Sequence, residues 1–189
     1  NMAIKMVGIY KYFGPYCALN NVNLNVKKGT MHAILGENGA GKSTLMNILY
    51  GMSKPDAGQI FINGKLLDIK HPKTAIENKI GMVHQHFMLV PTFTVAQNIM
   101  LGKELTKPFG ILDFKKANCA IEELSEKYNL LIDTKKKIEN MSVGMQQRVE
   151  ILKALYREAE ILILDEPTAV LTPQEVKDLM FTLQALVRH

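Results

Sequence analysis

The chain switches between two hydrophobic periods, and the switches mark out its organisation. From Ile4 to Tyr10 and from Val22 to Val26 apolar positions alternate, the period of strands with one covered face. Lys28-Gly29 marks a turn after them. Met31-His32-Ala33-Ile34-Leu35 is a short apolar run suited to a buried strand. Leu45, Ile48, Leu49 and Met52 then share a helical face at i, i+3, i+4 and i+7 spacing, with Gly51 near the helix end. Ile60-Phe61-Ile62 and Lys65-Leu66-Leu67 flank Asn63-Gly64, a pair suited to a two-residue primed turn, which predicts a hairpin. Ile80 to His84 reads as another short strand.

From about Thr94 to Tyr156 the pattern is helical. Ala117, Ile121, Leu124 and Tyr128 form one stripe, and Met145, Val149, Leu152 and Tyr156 another. Ile161-Leu162-Ile163-Leu164 returns to a buried strand. A last helix has a clear start, with Thr172 as N-cap, Pro173 at N1 and Glu175 at N3 forming a capping box. Its predicted apolar face is Val176, Leu179, Met180, Leu183, Leu186 and Val187. The order of elements predicts an α/β fold with a helical lobe in the middle of the chain.

The segment between the predicted strand at residues 31–35 and the helix that follows carries the sharpest chemistry. Gly36-Glu37-Asn38-Gly39-Ala40-Gly41-Lys42-Ser43-Thr44 fits G-x-x-x-x-G-K-[S/T], the loop that wraps nucleotide phosphates. A strand anchors such a loop, glycines let backbone N–H groups turn toward one anion, and the helix N-terminus adds its dipole. Lys42 is placed to reach the outer phosphates and Ser43 to ligate Mg²⁺.

Two further places bear on the same chemistry. The strand Ile161–Leu164 ends in Asp165 and Glu166. Beside a phosphate loop, Asp165 suits the Mg²⁺ held by Ser43, and Glu166 suits a general base for a water attacking the γ-phosphate. Met141-Ser142-Val143-Gly144-Met145 precedes the second helical stripe. Ser142 reads either as an ordinary N-cap or as part of a second anion-binding helix N-terminus, and the residues alone leave both open.

Composition narrows the class without naming a partner. With 189 residues, 47% of them hydrophobic, the chain can bury a core. No apolar run approaches the length of a bilayer span, and no signal peptide is visible. Asn1 before Met2 reads as an expression leftover. Cys17 and Cys119 form no metal or redox motif and suit a reducing compartment. A net charge of +5 is compatible with a phosphate ligand alone. Lys135-Lys136-Lys137 reads as a solvated loop. His84 and His86 lack the third ligand a metal site needs.

Taken in order, these motifs resemble the ATP-binding-cassette ATPases over essentially the whole chain. The resemblance rests on Phe13, the Walker A loop from Gly36 to Thr44, Gln85 of the Q-loop, Ser142-Val143-Gly144 of the signature, and Asp165-Glu166 of Walker B. It implies a P-loop cassette with a mostly parallel core sheet, an N-terminal antiparallel β subdomain and a helical subdomain. The nucleotide-binding core would take about residues 1–87 and 158–189, and the helical subdomain about 88–157. The ligands implied are ATP and Mg²⁺. Phe13 would stack on adenine, with Tyr10 or Tyr12 as fallback, and Gly36, Asn38, Gly39, Ala40, Gly41, Lys42, Ser43 and Thr44 would hold the phosphates. Ser43, Gln85 and Asp165 would contact the metal, and Glu166 with Gln85 would serve catalysis. Ser142 and Gly144 would contact the nucleotide bound by a second cassette.

Finer matches point to the simple-sugar and nucleoside uptake subfamily, whose proteins typically fuse two cassettes. They are the run from His86 to Val95, the run from Ser142 to Leu155, and the run from Asp165 to Glu175. The chain is similar to the N-terminal cassette of that pair, with nucleoside cargo preferred. The implied setting is peripheral, on the cytoplasmic face of the cell membrane. Its implied partners are the second cassette, transmembrane permease subunits and, indirectly, an extracytoplasmic substrate-binding protein, with no nucleic acid.

Three departures qualify the match. The usual signature Leu-Ser-Gly-Gly-Gln is here Met141-Ser142-Val143-Gly144-Met145, which keeps the Ser and the second Gly. The D-loop aspartate is replaced by Thr172, so the site across the dimer is expected to be the weaker one. The family's strand with the switch histidine is absent, and His189 is not its equivalent. The residues are therefore expected to belong to a longer chain, with weak or no hydrolysis in isolation. The alternatives are a soluble ATPase of this family acting on ribosomes or DNA, and a nucleotide-binding module without catalysis.

Overall fold

Two twelve-residue strands open the chain in the computed structural model, which describes residues 1–84, 88–103 and 113–188. Strands β1 (Met2–Phe13) and β2 (Tyr16–Lys27) pair antiparallel, and both run longer than their alternating segments predict. Ladder hydrogen bonds carry the pairing past the alternation, through register shifts between Met6 and Ile9 and between Ile9 and Tyr12. Strands β3 (Ala57–Ile62) and β4 (Lys65–Leu67) form the predicted hairpin. Ile62 faces Lys65 across a turn in which Asn63 and Gly64 have φ of 51° and 81°, the left-handed pair a primed turn requires. The sheet order is β2-β1-β3-β4.

The chain divides into two compact units, Asn1–Gly81 and Met82–His189. In the first, the inward positions Ile4, Met6, Ile9, Leu19, Ile60 and Ile62 are buried. Helix α1 (Lys42–Tyr50) buries Leu45, Ile48 and Leu49, three of the four residues of its predicted stripe, and ends at Gly51 in the left-handed region. Met52 lies beyond that end and is exposed. A short helix α2 (Pro72–Glu77) starts on Pro72 at its first turn.

The apolar run at residues 31–35 is not a strand. It forms no ladder with any described strand, and Leu35 is 90% exposed. Hydrophobic composition favours burial, but a strand also needs a hydrogen-bonding neighbour along its edge.

In the second unit, α3 (Val95–Met100) starts in a capping box between Thr94 and Gln97. Helices α4 (Phe114–Lys127) and α5 (Val143–Tyr156) carry the two predicted stripes: Ala117, Ile121, Val149 and Leu152 are fully buried, while Leu124, Tyr128 and Met145 pack partly buried against them. Strand β5 (Ile80–Val83), which begins in the last two residues of the first unit, pairs with β6 (Ile161–Leu164). Helix α6 (Pro173–Arg188) buries Leu179, Thr182 and Leu183, whereas Met180, expected on the apolar face, is 37% exposed. Thr182 lies between the two leucine turns, so the covered stripe is narrower and rotated from the one hydropathy suggests. Among the described residues no helix is long and apolar enough to cross a membrane.

Candidate active site

The phosphate loop lies in the first unit and leads directly into α1. Gly39 and Gly41 have φ of 84° and 94°, a region side chains avoid. A Cβ on Gly41 would stand 2.8 Å from both the Ala18 carbonyl oxygen and Leu19 Cδ2, so glycine lets the loop lie against β2. Gly41 is also the N-cap of α1, and no side chain caps this helix. Thr94, Asp113 and Ser142 cap α3, α4 and α5 with side-chain oxygens. Helix α1 therefore opens toward the loop with its dipole uncompensated by a cap, the condition that favours an anion.

Lys42, in the first turn of α1, folds back over the loop. Its ammonium donates to the Gly36 carbonyl at 2.5 Å and to the Glu37 carbonyl at 2.9 Å. The Ala40 amide closes the turn on the Glu37 carbonyl at 3.1 Å. Gly36, Asn38, Gly39, Ala40 and Ser43 are exposed, and Gly41, Lys42 and Thr44 are half-buried. A cationic loop open to solvent, with amides along its rim, can take up a polyphosphate.

Phe13 ends β1 with its ring 53% exposed, and Lys11 Nζ lies 5.4 Å from the ring centroid. Its partner across the hairpin is Tyr16, 58% exposed, whose hydroxyl donates to the Gly39 carbonyl at 3.4 Å. Two solvent-facing aromatics next to the phosphate loop offer stacking area for a planar base. Sequence reasoning names Phe13 as the stacking candidate and does not name Tyr16, although an aromatic at each end of the Gly14-Pro15 turn is visible in the sequence.

In the second unit the carboxylates follow β6. The Asp165 amide donates to the Val83 carbonyl at 3.1 Å, which fixes where β6 ends. Glu166 is exposed and has a φ of 43°. A left-handed non-glycine residue costs on the order of 1–3 kcal/mol, and such strain concentrates at functional positions. Buried Gln147 of α5 donates from Nε2 to the Pro167 carbonyl at 2.7 Å, tying the signature helix to the carboxylate turn. Ser142 caps α5, accepting from the Met145 amide at 3.3 Å, so the ordinary N-cap reading of this residue holds. Gln85 lies outside the described residues.

Among the described residues no group of three or more His, Cys, Asp or Glu could hold a metal by itself. The Ser43 hydroxyl, in the first unit, and the Asp165 carboxylate, in the second, are hard oxygen donors. Such donors suit Mg²⁺, which takes few protein ligands and completes its shell with phosphate oxygens and water.

The profile of the ABC transporter family matches residues 19–169. The chain belongs to the ABC transporter family. The matched stretch holds the loop at residues 36–44, Ser142, Gly144, Asp165 and Glu166, while Phe13 precedes it. Among relatives of this ABC chain, the guanosine import ATP-binding protein NupO of Bacillus subtilis (strain 168) is 56% identical over 186 residues. That alignment covers 98% of the chain and 36% of the relative. The nucleoside import ATP-binding protein NupA of Lactococcus lactis subsp. cremoris (strain MG1363) is 55% identical, covering 98% of the chain and 37% of the relative. The chain thus spans about a third of the length of these relatives. The dimeric structure of MJ0796, a bacterial ABC transporter cassette, superposes with a TM-score of 0.78 at 30% identity. That match covers 98% of this chain and 83% of the other, and it establishes the P-loop cassette fold.

Proposed function

We propose that this chain is the ATP-binding and hydrolysing cassette of a membrane importer of nucleosides or simple sugars. One observation carries the reading: an exposed phosphate loop organised by Lys42 at an uncapped helix N-terminus, in a chain 56% identical to a guanosine import protein. Both relatives cited act on nucleosides by name, which favours nucleoside cargo over sugar. The share of those relatives that the chain covers leaves room for a second cassette in the same polypeptide. The subunit would be peripheral on the cytoplasmic face, driving transmembrane permease subunits supplied by an extracytoplasmic binding protein. The core would comprise about residues 1–87 and 158–189, with a helical subdomain at about 88–157.

Each residue then has a role. Phe13, assisted by Tyr16, stacks on the base; Gly36, Asn38, Gly39, Ala40, Gly41, Lys42, Ser43 and Thr44 take the phosphates. Ser43, Asp165 and Gln85 would hold Mg²⁺, which neutralises phosphate charge when bound. Glu166 accepts a proton from the water as its oxygen attacks the γ-phosphorus. The bond from that phosphorus to the bridging oxygen breaks, and ADP and phosphate leave. Ser142 and Gly144 complete the site of the partner cassette, so two cassettes enclose two ATP molecules.

Uptake of labelled guanosine and labelled ribose tests the cargo assignment, in cells carrying the intact protein or its Lys42→Ala form. Loss of guanosine uptake alone supports the reading. Loss of ribose uptake alone assigns a sugar, and unchanged uptake of both overturns the importer.

A further inference from the structure

A carboxylate of the chain itself lies against the N-terminal turn of the signature helix α5. Glu175 lies in the first turn of α6 and forms the capping box with Thr172. One carboxylate oxygen, Oε2, accepts from the Thr172 amide at 2.9 Å and from its hydroxyl at 3.1 Å. The other, Oε1, reaches 2.6 Å from the point where a Cβ on Gly144 would stand. The carboxylate thus lies against Gly144, and Ser142, Gly144 and Glu175 line one cleft. Thr172 is the largest influence holding its pKa below the usual carboxylate value; Gly144 and Ser142 add to it, while burial opposes them. The lack of a side chain at Gly144 leaves room for this carboxylate, which a Cβ there would push aside.

We propose that Glu175 is an internal substitute for nucleotide phosphate, seated on the Ser142–Gly144 helix end and displaced when a partner's ATP docks there. The inference rests on the reading above, in which Ser142 and Gly144 meet the γ-phosphate of the opposing cassette. A carboxylate lying against Gly144 and a phosphate docked on the same helix end exclude each other, because their charges repel and they need the same space. The displaced side chain has somewhere to go. A cleft of about 210 Å³ adjoins it, lined by Ser142, Gly144, Met145, Arg148 and Asp178 among others. Arg148 is the cation of that lining, 3.7 Å from Asp178, and it offers the carboxylate a new partner. Glu175 thereby sets the ATP concentration at which the two cassettes close, without touching the reacting atoms.

A purely structural capping residue and a phosphate competitor predict opposite changes in ATP dependence. Hydrolysis by the intact protein is measured against ATP concentration for the wild type, Glu175→Gln and Glu175→Asp, with thermal unfolding alongside. Glu175→Gln keeps the cap geometry and removes the charge; Glu175→Asp keeps the charge and withdraws it from Gly144. Both should lower the half-saturating ATP concentration about three-fold or more, with kcat within about two-fold of wild type. A half-saturating concentration that is unchanged or raised in both variants overturns the proposal. If Glu175→Gln unfolds, Glu175→Asp alone decides by the same criterion. If the wild type itself shows no ATP-dependent hydrolysis, the parent reading of a hydrolytic cassette pair fails, and this inference with it.

Discussion

Lys42 is held by Gly36, six residues earlier, through an ammonium-to-carbonyl hydrogen bond of 2.5 Å. The loop thus positions its own cation through backbone carbonyls. Each carbonyl that Lys42 engages is one it can exchange for a phosphate oxygen at little extra ordering cost. Lys42→Ala should leave the fold intact, because the side chain is solvent-accessible, and should weaken ATP binding about 10- to 100-fold, the range of a lost charge-assisted hydrogen bond. Isothermal titration with ATP checks this. An affinity within two-fold or so of wild type would remove Lys42 from the phosphate site.

Gly41→Ala should harm the same site by another route. The backbone there has a φ of 94°, and a Cβ would meet the Ala18 carbonyl at 2.8 Å. The Ala18 contact is backbone, which cannot shift easily. The expected cost is on the order of 1–3 kcal/mol, with a matching fall in the denaturation midpoint and loss of nucleotide binding. A variant with wild-type stability would show that the loop does not press on β2 as described.

Glu150 offers a pH-dependent test in the second unit. It is 6% exposed, and its Oε1 has no hydrogen-bond partner among the described residues. Burial raises its pKa above the usual carboxylate value, against opposing pulls from Lys153, His84, the Met88 amide and Arg157. Because the folded pKa lies above the unfolded one, the stabilising contribution is complete below the unfolded pKa and is lost as pH rises through the folded value. Glu150→Gln should therefore raise the melting temperature at neutral pH by about 2–4 °C, for roughly 1 kcal/mol. The difference should vanish near pH 4, where free Glu is itself largely protonated. A lower melting temperature at neutral pH would mean that the charge is paired in the folded state.

Ser142→Ala separates the two roles given to that residue. Loss of the cap bond to the Met145 amide should cost about 1 kcal/mol of stability. Hydrolysis by the intact protein should fall about ten-fold or more as a phosphate donor is lost, while ATP affinity at the Lys42 loop stays near wild type. Equal hydrolysis by variant and wild type, with only the stability change, would reduce Ser142 to a helix cap.

Local signals carried well from sequence to structure. Asn63-Gly64 specified its hairpin because φ above zero at both positions is a property of those residue types. Thr172 and Glu175 specified a capping box because the partners are three residues apart. Relationships between distant residues were not legible. Nothing in the spacing of Gly144 and Glu175 announces that α5 and α6 bring a carboxylate to a helix end. Gln147 similarly looks like a helix residue until its bond to the Pro167 carbonyl is seen. The run at residues 31–35 failed in the opposite direction, since hydropathy registers the wish for burial and is blind to the neighbouring strand that would satisfy the backbone. The left-handed Glu166 lies between these cases: the residue was identified, while its strained backbone became visible only in three dimensions.

Phosphate release from Mg-ATP by the intact protein, compared with its Glu166→Gln form, tests the central claim most directly. The account predicts steady hydrolysis by the wild type, a fall of about 10²–10⁴ in turnover for the variant, and ATP affinity retained in both. Undiminished phosphate release from Glu166→Gln would contradict it.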